Sequence, residues 1–191
     1  RGERVQEETR LHRRLALLLL LGTLPMIPAL LIQDRATGLG TLPGVAVFLV
    51  LNGLLLFLTD RVGHGMRDVR SATVADGLCM GLAQALSIIP GLSRTGLTIS
   101  AGILQGLEPE FSWNFSFLLA VPAMLLQSII ALFGVLGNGI SLDWSYLAGM
   151  AVAGLCAYLA LRILRFIIRR NGFGSFAYAS WGMALLTFIL Y

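Results

Sequence analysis

Residues 77–107 read GLCMGLAQALSIIPGLSRTGLTISAGILQGL, two apolar stretches, Gly77–Ile89 and Thr95–Leu107, joined by a polar turn at Pro90-Gly91-Leu92-Ser93-Arg94. At 13 residues each, the stretches would be about 20 Å long as helices, short of the roughly 30 Å of a bilayer's hydrocarbon core. They form either one broken crossing or a hairpin that dips in and returns. Arginine cannot shed its proton, and at bilayer depth it costs roughly 2.5 to 3.5 kcal/mol on insertion scales, so Arg94 marks a functional site.

The rest of the chain supplies the membrane setting. Of 191 residues, 57% are hydrophobic and 13% charged, with a mean hydropathy of +0.81, which argues against a soluble domain. Leu15–Ile32, Pro43–Leu58, Phe117–Leu136, Tyr146–Ile168 and Phe173–Tyr191 are candidate spans, the second one short, with kinks expected at Pro25, Pro28 and Pro122. All fourteen cations are arginine, and their placement selects the hairpin. If the short pair does not cross, the arginines of residues 1–14, 61–70 and 162–170 share the cytoplasmic side and Arg35 alone lies outside. A single crossing would move Arg162, Arg165, Arg169 and Arg170 outside, against the positive-inside rule.

The expected fold is therefore an all-α polytopic membrane protein with about five transmembrane helices and one re-entrant helix-loop-helix hairpin. It reads as one integral membrane domain: a charged cytoplasmic segment over 1–14, two spans over 15–58, the hairpin over 74–107 and three spans over 112–191. The positive charge then belongs to membrane topology, and no nucleic acid is expected as partner. The chain opens on Arg1, and residues 1–14 lack the apolar core of a signal peptide, so a fragment or processed product is expected. Cys79 and Cys156 lie in apolar segments and read as buried packing residues, neither a disulfide nor a metal pair.

A hairpin at membrane depth must be buried in protein or line a wet cavity, because lipid cannot satisfy its backbone groups. Gly91 and Gly96 permit positive φ and close backbone approach, Pro90 ends the first half-helix, and the second begins near Ser93 to Thr95. Free N–H groups at that helix start would give a positive potential for an anion. Arg94 adds a planar fork matched to phosphate oxygens, and the hydroxyls of Ser93 and Thr98 add donors. The plainer alternative has Arg94 snorkelling or meeting a carbonyl, while Ser93 and Thr95 merely cap a helix. Half-helices with their dipoles aimed at an anionic head group also fit a transporter or flippase that performs no hydrolysis.

The stretch from Gly81 through Gln84, Pro90, Gly91, Ser93, Arg94, Thr95, Gly96 and Thr98 to Ser100, followed by Phe115-Ser116-Phe117-Leu118-Leu119-Ala120-Val121-Pro122, resembles the undecaprenyl-diphosphate phosphatases of the bacitracin-resistance type. The family's Pro-Gly-x-Ser-Arg-Ser-Gly-x-Thr signature is met except at its second serine, here Thr95, where a hydroxyl is retained. The resemblance runs from about Arg10 to the carboxyl end. It implies an inverted-repeat architecture in a bacterial cytoplasmic (inner) membrane and hydrolysis of undecaprenyl diphosphate to the monophosphate carrier used for peptidoglycan, conferring bacitracin resistance. It assigns Ser93, Arg94 and Thr98 to the catalytic site and Gln84, Gly91, Thr95 and Gly96 to substrate binding. A polyprenyl diphosphate lipid is the implied partner, and a homodimer is compatible with the resemblance. A divalent cation, Mg2+ or Ca2+, is implied by resemblance alone, since no ligand cluster in the chain demonstrates one.

The family's first repeat carries a Glu-x-x-x-Glu segment and a Ser-Ser-x-Gly-His loop, and neither occurs here. The expectation is a complete second repeat plus two spans of the first, with the amino-terminal third missing and this polypeptide inactive alone. His12 and His64 read as solvated, Glu108 and Glu110 as turn residues, and Asp76 as the cap of the first short helix. The acid-phosphatase-like lipid phosphatases would need a His six residues after the Arg and an Asp four further on; Ser100 and Leu104 stand there. The stripe Gly149, Ala153, Ala157 is expected to pack inside the fold. Trp113, Trp144, Tyr146, Tyr178 and Tyr191 are expected in interfacial belts. Phe115 and Phe117 read as core or lipid contacts.

Overall fold

The structure is a computed structural model and describes residues 2–62, 65–137, 144–171 and 174–190. These residues form nine helices: α1 (Gly2–Thr23), α2 (Met26–Leu31), α3 (Gln33–Thr37), α4 (Leu42–Arg61), α5 (Val74–Leu86), α6 (Arg94–Leu104), α7 (Pro109–Gly137), α8 (Trp144–Asn171) and α9 (Ser175–Ile189). Among the described residues no strand forms; one isolated bridge pairs Arg67 with Leu107.

Among the described residues, four stretches are long and apolar enough to cross a membrane: Gln6–Leu31, Leu42–Arg61, Pro109–Val135 and Trp144–Leu164. The protein is thus a multi-pass, all-α membrane protein. The second span is longer than the sequence suggests, because Thr41 caps α4, Pro43 sits in its first turn, and the helix continues to Arg61. The last candidate span contributes α9, only 15 residues long, and α9 packs along α4. The α1 helix ends at Thr23 and restarts as α2 at Met26, so the chain breaks at Leu24-Pro25. Pro122, by contrast, stays within α7.

The two short helices, α5 and α6, pack on each other, and the chain leaves the pair where it came in. The Arg67 N–H donates to the Gly106 carbonyl at 3.4 Å, and the Glu108 N–H donates back to the Arg67 carbonyl at 2.8 Å. The Arg67 guanidinium reaches the Gln105 and Ser71 carbonyls, each at 3.1 Å, and grips both carboxylate oxygens of Asp76. One side chain therefore closes the mouth of the hairpin.

The cap of α5 is Thr73, not Asp76 as the sequence suggested. The Thr73 hydroxyl accepts the Asp76 N–H, and the Asp76 carboxylate accepts the Thr73 N–H at 2.7 Å, a reciprocal capping box. Burial alone would raise the Asp76 carboxyl; donors from the Thr73 backbone and hydroxyl and from Arg67 outweigh it and hold the group below its ordinary range. Asp76 lies at the hairpin mouth, outside the four spanning stretches.

The core joins α1, α5 and α7 through Leu18, Met80, Phe115 and Leu119, with Leu107 beneath them. A Cβ on Gly81 would fall 2.0 Å from the Gly22 carbonyl oxygen, so only glycine lets α1 and α5 approach this closely.

Two packing expectations are overturned. Cys156 stands exposed on α8, whereas Cys79 is half-buried. The small-residue stripe on α8 packs against no described neighbour: a Cβ on Gly149 would meet nothing within 4 Å. The cause is the same in both cases, since none of the Trp144–Leu164 window is buried.

Candidate functional site

The turn between α5 and α6 is held by backbone geometry that its sequence dictates. Gly91 has φ +97°, and a Cβ there would lie 2.8 Å from the Val45 carbonyl oxygen and 2.9 Å from Phe48 Cβ. Both the dihedral and the space therefore demand glycine. Gly96 differs from expectation: it lies within α6 without positive φ, and a Cβ there would meet Leu56 and Ser93 side-chain atoms at 3.1 Å. Close approach, not dihedral freedom, is its contribution.

Ser93 is the N-cap of α6, and its hydroxyl accepts the Gly96 N–H at 3.2 Å. The Gly96 amide is thereby occupied. The Arg94 and Thr95 amides have no acceptor among the described residues, so these two N–H groups carry the positive end of the helix. Ser93 itself is exposed. Ser93, Thr95 and Gly96 line a cavity of about 180 Å³ completed by Leu56, Trp113, Leu164 and Phe176. Trp113 thus faces the site, and its ring centroid lies 4.6 Å from that of Phe117.

Arg94 and Thr98 point to α7 instead. The half-buried Arg94 donates from Nη2 to Gln127 Oε1 at 3.4 Å. Thr98 is fully buried, its hydroxyl back-bonded to the Arg94 and Thr95 carbonyls at 3.0 and 3.1 Å and hydrogen-bonded to Ser116. Its expected role as an open donor is not what the geometry provides; it ties α6 to α7. Gln84 is also fully buried, and neither its side-chain nitrogen nor its oxygen has a partner among the described residues. It is closed to a ligand in this arrangement. The residues expected to form one cradle therefore have different neighbours: Ser93 and Thr95 line the cavity, while Arg94 meets Gln127.

Sequence reasoning missed Asn52, Gln127 and Ser180. Asn52 Oδ1 accepts the Ser93 N–H at 3.1 Å, and its Nδ2 donates to Ser180 Oγ at 3.0 Å. A signal for two of them was present. Asn52 and Gln127 are amides in the middle of apolar runs, and a polar residue inside a span is a functional candidate for the same reason as Arg94. Ser180 is one of several hydroxyl residues in α9 and gives no such signal.

The remaining candidates lie away from the turn. His12 is exposed on α1, and His64 lies outside the described residues. Glu108 and Glu110 are exposed at the hairpin exit, Glu108 just before α7 and Glu110 within its first turn instead of in a loop. Of the aromatic belt, Trp144 and Tyr178 are exposed, Tyr146 is partly so, and Tyr191 lies outside the described residues. Phe115 is core.

The sequence family described as Bacitracin resistance protein BacA matches residues 1–186. A protein named undecaprenyl-diphosphatase from Nitrosococcus oceani is 38% identical over 181 residues, covering 93% of this chain and 68% of its own. One of the same name from Methanobrevibacter smithii is 33% identical over 184 residues, covering 93% and 65%. A third, from Methanothermobacter thermautotrophicus, is 34% identical over 175 residues, covering 88% of this chain and 96% of its own. The chain thus spans about two thirds of the length of the first two relatives and nearly all of the third.

Proposed function

The chain belongs to the bacitracin resistance protein BacA family, and from that premise we propose that it takes part in hydrolysing undecaprenyl diphosphate to undecaprenyl phosphate and inorganic phosphate. On this reading it recycles the lipid carrier of peptidoglycan synthesis in a bacterial cytoplasmic membrane. The observation that carries the reading is the start of α6, where a permanent cation and two amides without described acceptors issue from one tight turn. Charge on a transferring phosphoryl group spreads over its oxygens, and a guanidinium together with the N–H donors of a helix start is matched to that charge.

The direction of Arg94 supports access from the outer face. Gln127 lies eleven residues beyond Ser116 on α7, about 16 Å further along the helix axis. Because α7 starts at the hairpin mouth beside Arg67, the guanidinium reaches away from that mouth. Arg14 bonds the Arg70 and Ala72 carbonyls there, at 2.6 and 2.7 Å, so the arginine-rich side, cytoplasmic by the positive-inside rule, is opposite.

Hydrolysis also needs a nucleophile and a proton carrier. The Ser93 hydroxyl accepts the Gly96 N–H and meets no acid or base among the described residues, so we place both groups outside this turn. The donors of the cradle are cationic and neutral, and among the described residues no three His, Cys, Asp or Glu gather. They do not fit a divalent cation by themselves, and no step is assigned to one.

One observation favours binding without hydrolysis: the side chain that meets Arg94 is the neutral Gln127 and not an acid or base. A carrier of polyprenyl phosphate would have this arrangement. Phosphate release from undecaprenyl diphosphate in detergent decides between them, using this chain, the protein at its natural length, and Arg94→Ala. The phosphatase reading expects release at natural length, lowered at least about a hundredfold by Arg94→Ala, the scale of losing one oxyanion donor. No release, with Arg94-dependent lipid binding intact, would replace it by the carrier.

A further inference from the structure

From Leu42 to Leu58, Asn52 is the single polar side chain in α4. A leucine there would be at home in lipid, whereas a buried amide must find partners at both of its ends. Asn52 finds them: it is 3% exposed, its Oδ1 accepts the Ser93 N–H at 3.1 Å, and its Nδ2 donates to Ser180 Oγ at 3.0 Å. The Ser180 hydroxyl donates in turn to the Leu49 carbonyl at 2.9 Å. Next to it, Trp181 Nε1 donates to the Val50 carbonyl at 3.2 Å. The chain of bonds runs from α9 through α4 into the turn.

The Ser93 N–H is the point where this chain acts on the site. At membrane depth neither lipid nor a helix partner would satisfy it. Ser93 is also the cap from which the Arg94 and Thr95 amides and the Arg94 side chain project. Whatever fixes Ser93 fixes the direction of all three.

We propose that Asn52, backed by Ser180, is a positioning residue for the anion cradle, holding Ser93 against α4 so that the start of α6 meets the phosphate in one preformed geometry. This rests on the phosphate reading of the turn. Asn52 touches no substrate; it acts through Ser93.

The test compares Asn52→Leu, Asn52→Asp and Ser180→Ala in the protein at its natural length, by amide hydrogen exchange in detergent and by kcat and KM for undecaprenyl diphosphate. Asn52→Leu should speed exchange over residues 92–96 while the amides of α1 and α5 keep their rates. It should lower kcat/KM about a hundredfold, mainly through kcat, as expected for an ångström-scale misplacement. Asn52→Asp keeps an acceptor for the Ser93 N–H and should recover most of that loss. Ser180→Ala should fall between Asn52→Leu and the natural protein.

Unchanged exchange over the turn in Asn52→Leu, or natural kcat and KM, would overturn the proposal. So would faster exchange throughout the molecule with no rescue by Asn52→Asp, which would make Asn52 a packing residue. If the natural protein releases no phosphate, the hydrolytic reading fails separately, and the exchange pattern alone still decides whether Asn52 holds the turn.

Discussion

The α5–α6 hairpin and the arm made by the end of α7 with α8 are built of the same apolar material and held in opposite ways. The hairpin is bound at its mouth by Arg67, along its length by the Gly81 to Gly22 approach and the Thr98 to Ser116 bond, and at its tip by Asn52. The arm has the length and hydropathy to span, yet none of the Trp144–Leu164 window is buried, and Phe133 on α7 is 71% exposed. Among the described side chains of α8, Leu164, near its far end, reaches the site. Lipid is as apolar as leucine, so burying apolar surface supplies little drive for helices to associate within a bilayer. Close backbone contact and polar ties do that work, and the hairpin has both.

Crowding the hairpin's tightest contact should give the largest effect. Any side chain on Gly81 meets the Gly22 carbonyl, so Gly81→Leu must force α1 and α5 apart. Overpacking costs about 1 to 3 kcal/mol where side chains can shift, and a rigid backbone carbonyl cannot, so the loss should reach at least the top of that range. Thermal unfolding in detergent reads it. A midpoint unchanged from the natural sequence would mean that the two helices do not pack this way.

Breaking the polar tie at the mouth should come next. Arg67→Ala leaves the nearly buried Asp76 carboxylate with Thr73 alone and should cost about 1 to 3 kcal/mol, the penalty for a buried group robbed of its partner. The pH dependence has a fixed sign. The folded-state pKa of Asp76 is depressed, so its contribution is complete above the carboxylate's unfolded value, near about pH 4, and is lost as pH falls through the lower folded value. Asp76→Asn should erase that acid-sensitive part of the unfolding curve. An equally acid-sensitive Asp76→Asn variant would assign the effect to another carboxylate.

The same contrast explains what the sequence disclosed. The hairpin was legible because two 13-residue apolar stretches are too short to cross and because the arginines sort to one side only if the pair returns; the Arg67 bridge is the physical form of that inference. The capping of α6 by Ser93 and the need for glycine at 91 were legible too, since both are local chemistry. What depended on distant partners was not. That Arg94 and Thr98 turn to α7 while Ser93 and Thr95 face a cavity follows from the seating of α6 between α4 and α7, which no local pattern encodes. Gln84 looked like a ligand contact beside the motif and proved to be enclosed. The α8 stripe was misread for a related reason: small residues permit close packing but do not supply a neighbour.

That last point yields the smallest expected effect and the sharpest control. Gly149→Leu adds the same bulk as Gly81→Leu, at a position where a Cβ meets no described atom within 4 Å. If α8 is held by lipid alone, the added leucine only exchanges one apolar contact for another and replaces a poor helix former by a good one, so stability should change by less than about 0.5 kcal/mol or rise slightly. A loss approaching that of Gly81→Leu would show instead that the Gly149 face meets a partner in the membrane, and the arm would then be held by close contact just as the hairpin is.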